Sequence, residues 1–63
     1  MLESATHRYL KIKIQRHLDY KKEIEKQIIR ATRELEITTL ENELMVETLI
    51  INFLRKRLQK LAY

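Results

Sequence analysis

The sequence predicts an all-α fold: a helical hairpin of two long antiparallel helices that associates into a dimeric four-helix bundle or coiled-coil-like assembly. The chain has 63 residues and contains neither glycine nor proline, although average usage is about 7% and about 5%. Tight turns between strands need such residues, whereas long helices do not. Apolar residues recur at helical spacing in both halves, and the second half is too apolar for one neighbouring helix to cover.

The composition limits how so short a chain gains stability. Below roughly 70–80 residues a single core rarely suffices without a disulfide, a metal or oligomerisation. The chain has no cysteine, which excludes disulfides and thiolate metal sites. With 44% hydrophobic and 35% charged residues, it is more typical of a helical bundle than of a disordered segment. We therefore expect one domain held together by helix packing.

The first predicted helix covers residues from about 5 to 36. Its clearest signal is a narrow apolar stripe at spacings of 4, 4, 3 and 4, formed by Tyr20, Ile24, Ile28, Ala31 and Leu35. Upstream, residues 9–15 also fit a helix, but Leu10 to Gln15 alternate strictly between apolar and polar, which is typical of a strand. A strand there would have to pair between subunits, so helix is favoured and strand stays an alternative.

The second predicted helix covers residues from about 39 to 62. It carries a heptad interrupted by one charged residue: Ile37, Leu40, Leu44, Glu47, Ile51, Leu54, Leu58 and Leu61. The step from Leu35 to Ile37 breaks the phase, and Thr38 precedes Glu41 by three residues, which is capping-box spacing. These signals predict a turn at about 36–39. A single uninterrupted helix is the alternative.

Apolar side chains occupy more than half of the circumference of the second helix, whereas a surface helix typically has a stripe a little over 100° wide. Ordering about 55 residues costs on the order of 80 kcal/mol, and each fully buried apolar side chain returns only about 1.5–3 kcal/mol. We therefore expect a second copy, or a helical partner, to cover the excess. The predicted interface consists of Leu44, Val46, Leu49, Ile50, Ile51, Phe53, Leu54, Leu58 and Leu61.

Charges are sorted along the predicted hairpin. Folding at 36–39 places residues 8–22 beside 55–60, a region with ten cations and a single carboxylate, Asp19, while residues 23–47 carry seven acids and three bases. The simplest interpretation is that these charges lie on solvated helix faces and that helix-dipole preferences set their signs. Alternatively, antiparallel hairpins could pair opposite ends, or the basic end could bind phosphates, with Tyr9 and Tyr20 stacking on bases. The predicted nucleic-acid contacts are Arg8, Lys11, Lys13, Arg16, Lys21, Lys22, Arg55, Lys56 and Arg57.

The residues that carry catalysis or bind metal are sparse. His7 and His17 are ten residues apart, and a structural zinc site needs four ligands. There is no cysteine nucleophile and no glycine to build a phosphate-binding loop. Glu23 and Glu25, two residues apart, point to different faces of a helix. We therefore predict no catalytic residues, no metal site and no cofactor.

No apolar run approaches the roughly 20 residues that span a bilayer, so no transmembrane segment is predicted, and a cytoplasmic location is expected. Association with anionic membranes through an amphipathic segment around Phe53 to Arg57 is a third hypothesis. The wide apolar arc favours packing against protein instead.

In length and layout, the predicted hairpin resembles the Rop family of RNA-binding repressors, which dimerise into four-helix bundles. If residues 9–15 formed a strand, the order would resemble ribbon–helix–helix repressors, with Lys11, Lys13 and Gln15 facing DNA; the chain departs from that pattern because its inter-helix segment lacks glycine. The sequence thus predicts a non-enzymatic oligomerisation or protein–protein interaction module, structural or regulatory. The alternative is a small nucleic-acid-binding regulator.

Overall fold

The fold is a hairpin of two antiparallel helices, described for residues 4–61 by a computed structural model. Helix α1 spans Ala5–Arg30 and helix α2 spans Glu34–Leu61. The helices pack along their length into a rod whose Cα atoms extend over 50 × 14 × 11 Å. The predicted all-α hairpin is confirmed.

The alternating segment at residues 9–15 lies inside α1, and residues 4–61 contain no strand. The strand interpretation, and with it the ribbon–helix–helix arrangement, is wrong. In a helix, each backbone amide is satisfied locally, and residues four apart share a face. Leu10 and Ile14 are four apart and both are buried, at 4% and 8% exposure. Helix therefore buries this segment's apolar residues without a partner strand.

Hydrogen bonds and backbone angles explain where α1 begins and ends. At the start, the Ser4 hydroxyl accepts a hydrogen bond from the His7 amide at 3.0 Å, which makes Ser4 the N-cap. At the end, Ala31 turns into an extended conformation with φ −72° and ψ 138°. The Ala31 amide still donates to the carbonyls of Gln27, at 2.9 Å, and Ile28, at 3.2 Å. The helix therefore ends at Arg30.

The turn lies at residues 31–33, five residues before the predicted 36–39. The predicted capping box is also wrong, because the Thr38 hydroxyl donates to the Glu34 carbonyl at 3.0 Å inside α2. The cause is Leu35, which the sequence pattern assigned to the first stripe. Leu35 instead lies in the first turn of α2 and is 79% exposed. A single uninterrupted helix is excluded by the same turn.

The turn forms without glycine because it needs no unusual backbone angle. None of the described residues has a positive φ, so no position requires the freedom that glycine provides. The Arg33 carbonyl accepts from the Ile37 amide at 3.0 Å and starts the α2 ladder. Glu34 and Glu36 lie in the first turn of α2, where carboxylates interact favourably with the helix dipole. The predicted end of this helix, residue 62, lies outside the described residues.

The core is a single layer of side chains between the two helices. Leu10 and Ile14 of α1 pack with Ile51 and Leu54 of α2, and this cluster is flanked by Leu18, Ile50 and Leu58. Two further residues nearer the turn, Ile24 and Leu40, are 0% and 7% exposed. The inner side of the hairpin is thus well covered, whereas the other faces of each helix have no covering layer within the chain.

The accessible surface is large for the mass of the chain. It measures 5516 Å², whereas area scaling gives about 4,300 Å² for a compact monomer of this mass. The radius of gyration is 14.8 Å, against about 11 Å for a compact domain of this length. Large apolar side chains contribute to that surface: Tyr9, Ile12, Tyr20, Ile29, Leu35, Met45, Val46, Leu49, Phe53 and Leu61.

Candidate functional site

The face of α2 opposite α1 presents a row of exposed apolar side chains, here called the outer seam: Met45, Val46, Leu49 and Phe53. These residues are 60%, 53%, 62% and 60% exposed. Spacings of three and four residues keep them on one face of the helix. That face lies opposite the buried Ile51 and Leu54, which leaves the outer seam open to a partner.

Polar residues limit the outer seam at both ends. Asn42 lies one heptad before Leu49, and Lys56 lies one heptad after it. Both are exposed. Both lie on the same face of α2 as Leu49, because seven residues make about two helical turns. A polar residue in an apolar row can specify register in paired helices. The outer seam is therefore a bounded surface centred on Leu49.

The structure divides the predicted oligomer interface between two faces of α2. Ile51 and Leu54 are buried in the core of the same chain, and Leu44, Ile50 and Leu58 are half-buried. Val46, Leu49, Phe53 and Leu61 remain exposed. A second copy would therefore meet the outer seam, since α1 covers most of the inner heptad; Leu61, at the end of that heptad, is exposed as well.

A groove runs between the helices beside the outer seam and is here called the lateral groove. Its larger part, about 520 Å³, is lined by Tyr9, Ile12, Lys13, Arg16, His17, Tyr20 and Glu47. Its smaller part, about 360 Å³, shares Tyr20 and Glu47 and continues along Thr39, Asn42, Glu43 and Val46. Because Val46 belongs to both features, the apolar surface extends from the outer seam into the lateral groove.

A polar bridge joins the two helices at the lateral groove. The Nδ1 atom of His17 and the Oε2 atom of Glu47 are 2.5 Å apart, and the side chains are 24% and 13% exposed. An ionised carboxylate has only acceptors, so the imidazole donates from Nδ1. Among the described residues, no buried side-chain nitrogen or oxygen lacks a partner. The charged residue in the α2 heptad is therefore explained by a partner on α1.

Sequence reasoning missed this bridge, although a signal was present. Leu10, Ile14, His17, Lys21, Ile24, Ile28 and Ala31 follow spacings of 4, 3, 4, 3, 4 and 3, and none of them is fully exposed. His17 is therefore a polar member of the inner heptad of α1, as Glu47 is of α2. Two polar residues at inner positions of antiparallel helices indicate a pair, once the turn that aligns them is known.

One cation of the lateral groove, Lys13, contacts an aromatic side chain one turn before it on α1. The Lys13 ammonium donates to the Tyr9 hydroxyl at 3.2 Å, and lies 5.4 Å from the centre of the tyrosine ring. On another face of α1, outside the lateral groove, the Gln15 amide donates to the Asp19 carboxylate at 3.0 Å. Of the two contacts that the Lys13 ammonium makes with Tyr9, the one with the hydroxyl is shorter than the one with the ring. It places a positive charge beside an exposed aromatic ring.

The hairpin gathers cations in its open half, the part away from the turn. Residues 5–17 and 47–61 contain eight cations and one carboxylate, Glu47. Seven predicted nucleic-acid contacts lie here and all are exposed: Arg8, Lys11, Lys13, Arg16, Arg55, Lys56 and Arg57. The structure does not bring Lys21 and Lys22 to them, since both lie in the half nearer the turn. That half, residues 18–46, has seven acids and five bases.

Two other features are absent from residues 4–61. No group of three or more histidine, aspartate or glutamate side chains in this part of the chain is arranged to hold a metal ion. Neither described helix has an apolar stretch long enough to cross a bilayer.

Comparison with protein families, curated proteins and solved structures finds no match to this chain. The outer seam, the lateral groove and the basic open half are thus the features of the hairpin that bear on its function.

Proposed function

We propose that the chain is a non-enzymatic oligomerisation module, structural or regulatory, that packs its outer seam against another helical surface. One observation carries the proposal: Val46, Leu49 and Phe53 are 53–62% exposed on the face of α2 away from α1. Covering side chains that are half exposed returns on the order of 1 kcal/mol each. Exposed apolar patches of this kind mark interaction surfaces or aggregation sites.

The thin core supports the same proposal. Only Leu10, Ile14, Ile24, Leu40, Ile51 and Leu54 are buried apolar residues among those described. Taking about 11,200 Å² for the unfolded chain, the hairpin buries about half of that surface, whereas a domain of about 60 residues buries about 60%. Association through the outer seam adds the burial that one chain lacks.

Sedimentation velocity of the purified protein, over a concentration series, tests the proposal. We expect a reversible increase in mass with concentration. Leu49→Glu places a carboxylate at the centre of the outer seam and should shift the protein to monomer. Gln27→Glu is the matched control, because it makes the same charge change at an exposed position on α1, away from the outer seam. A well-folded wild-type monomer at high concentration contradicts the proposal.

The second candidate is a nucleic-acid-binding regulator, favoured by the eight cations of the open half. Binding through phosphates is independent of nucleotide sequence. The logarithm of the binding constant falls linearly with the logarithm of the salt concentration, with a slope of about −0.9 for each phosphate neutralised on duplex DNA. Fluorescence anisotropy with labelled DNA and RNA at two salt concentrations tests it. We expect Arg55→Gln/Arg57→Gln to weaken binding and reduce the slope by about two.

The control for that experiment removes the same charge near the turn. Arg30→Gln/Arg33→Gln lies at the other end of the rod, and should leave binding within about twofold of wild type. Equal losses in both variants would indicate that net charge alone drives binding. Absence of binding at low salt eliminates this candidate.

A further inference from the structure

We infer that the partner of the outer seam is a second copy of this chain, packed antiparallel, with Leu49 of each copy at the two-fold axis. This inference rests on the proposed oligomerisation function and specifies its geometry. Three observations carry it: the symmetry of the outer seam about Leu49, the sorting of charge along α2, and the surface that the hairpin leaves uncovered.

The outer seam is close to symmetric about its centre, with one exception at Val46. Its apolar residues span 45–53, and Leu49 stands midway between Asn42 and Lys56, which are each seven residues away. In a two-fold interface the same surface meets itself. An axis at Leu49 places Met45 opposite the partner's Phe53 and Leu49 opposite the partner's Leu49, so the two rows overlap along their length, with Val46 opposite the partner's Asn52. Moving the axis by one heptad toward the C-terminus would set Phe53 against polar residues.

The charges along α2 favour the antiparallel direction. An axis at Leu49 sets residues 55–60 opposite the partner's residues 38–43. The first segment carries four cations, Arg55, Lys56, Arg57 and Lys60, and the second carries the carboxylates Glu41 and Glu43. A parallel dimer would set the four cations beside the same four cations. Opposed charges across an interface select orientation, and juxtaposed like charges disfavour it.

The uncovered area matches a second copy in size. The hairpin exposes 5516 Å², which exceeds the surface of a compact monomer of this mass by about 1,200 Å². Two copies together therefore have about 2,400 Å² of excess surface. Specific interfaces bury about 1,200–2,000 Å² in total, and obligate homodimers bury about 2,000 Å² or more. A pair of hairpins thus removes the excess without a third component.

Disulfide trapping tests the geometry, since the chain has no cysteine of its own. Single variants Asn42→Cys, Leu49→Cys and Lys56→Cys are oxidised mildly and run on non-reducing gels. In the antiparallel dimer, two copies of residue 42 lie about 21 Å apart along the axis, and a disulfide needs Cα atoms within about 7 Å. Of the three variants, we expect only Leu49→Cys to cross-link with itself. Asn42→Cys should cross-link only when it is mixed with Lys56→Cys.

The outcomes separate this inference from the proposed function. Cross-linking of Asn42→Cys or Lys56→Cys alone, as efficiently as Leu49→Cys, would show a parallel dimer and overturn the orientation only. A dimer in sedimentation without any of these cross-links would place the interface elsewhere, and would also overturn the inference. Reduced variants and wild type that all sediment as monomers would overturn the proposed function as well. Gln27→Cys, an exposed position on α1, is the control that should not cross-link.

Discussion

The imidazole of His17 and the carboxylate of Glu47 meet across the hairpin, with 2.5 Å between Nδ1 and Oε2. The pair lies near the middle of both helices and replaces an apolar contact in the inner heptads. Apolar side chains at such positions tolerate sliding of one helix along the other. A hydrogen bond requires a defined distance and angle between donor and acceptor, and sliding would break it. The pair therefore fixes the register of α1 against α2.

Removing one member of this pair should destabilise the hairpin more than removing both. Glu47→Ala leaves the partly buried imidazole without its acceptor, and we expect a loss of about 1–2 kcal/mol in the free energy of unfolding. His17→Leu/Glu47→Leu restores an apolar heptad and should be at least as stable as wild type. Urea unfolding followed by circular dichroism, at one protein concentration, measures both. A double variant less stable than Glu47→Ala would contradict this account.

The position of the turn can be tested with proline. Thr38→Pro lies inside α2, where proline removes a helical hydrogen bond and clashes with the preceding turn, and should cost about 3 kcal/mol or more. Thr32→Pro lies between the helices, and the residue before it, Ala31, already has the extended angles (φ −72°, ψ 138°) that proline favours in its predecessor. Thermal unfolding should show a much smaller loss for Thr32→Pro. Equal losses would place Thr32 in a helix.

The sequence predicted the helices well because their pattern is local. The inner heptad from Ile37 to Leu61 needs only residues three and four apart, and the structure shows Leu40, Ile51 and Leu54 buried on that face. The absence of glycine and proline correctly indicated long helices. The same absence removes the usual marks of a turn, so the predicted position of the turn depends on the phase break and on the capping-box spacing of Thr38 and Glu41.

The remaining features depend on contacts distant in sequence. Leu35 continues the α1 stripe by spacing, and only the extended backbone at Ala31 shows that it belongs to α2. The lateral groove requires Tyr9 and Tyr20 to lie beside Glu47, a neighbourhood set by where the turn falls. The polar bridge was missed for the same reason, since a turn at 36–39 does not align His17 with Glu47.

Alanine substitutions on opposite faces of α2 should separate folding from association. Ile51 is 2% exposed within one chain, so Ile51→Ala should lower the stability of the hairpin by about 2–5 kcal/mol. Leu49→Ala removes exposed surface and should leave the isolated hairpin intact while weakening the dimer. Sedimentation and circular dichroism, over a concentration series, distinguish the two. Loss of helix in Leu49→Ala at every concentration would assign Leu49 to the core of the monomer.

Charge exchange provides an independent test of the antiparallel dimer. Glu41→Lys/Glu43→Lys and Arg55→Glu/Arg57→Glu each create like charges across the proposed interface, and each should dimerise more weakly than wild type. A mixture of the two variants restores opposite charges at both ends, so heterodimers should predominate in native mass spectrometry. Addition of salt should reduce this preference. Mixing without any preference for heterodimers would contradict the antiparallel charge arrangement.

The turn at residues 31–33 contains no residue that forbids helix, and no described residue has a positive φ. Each position of this segment can therefore adopt helical backbone angles as well as those of the turn. A straightened chain keeps every inner side chain, but must find the complementary helix on a neighbouring molecule. Exchange of α2 between two molecules would recreate the contacts of Leu10 and Ile14 with Ile51 and Leu54, so we expect the hairpin to be capable of domain swapping.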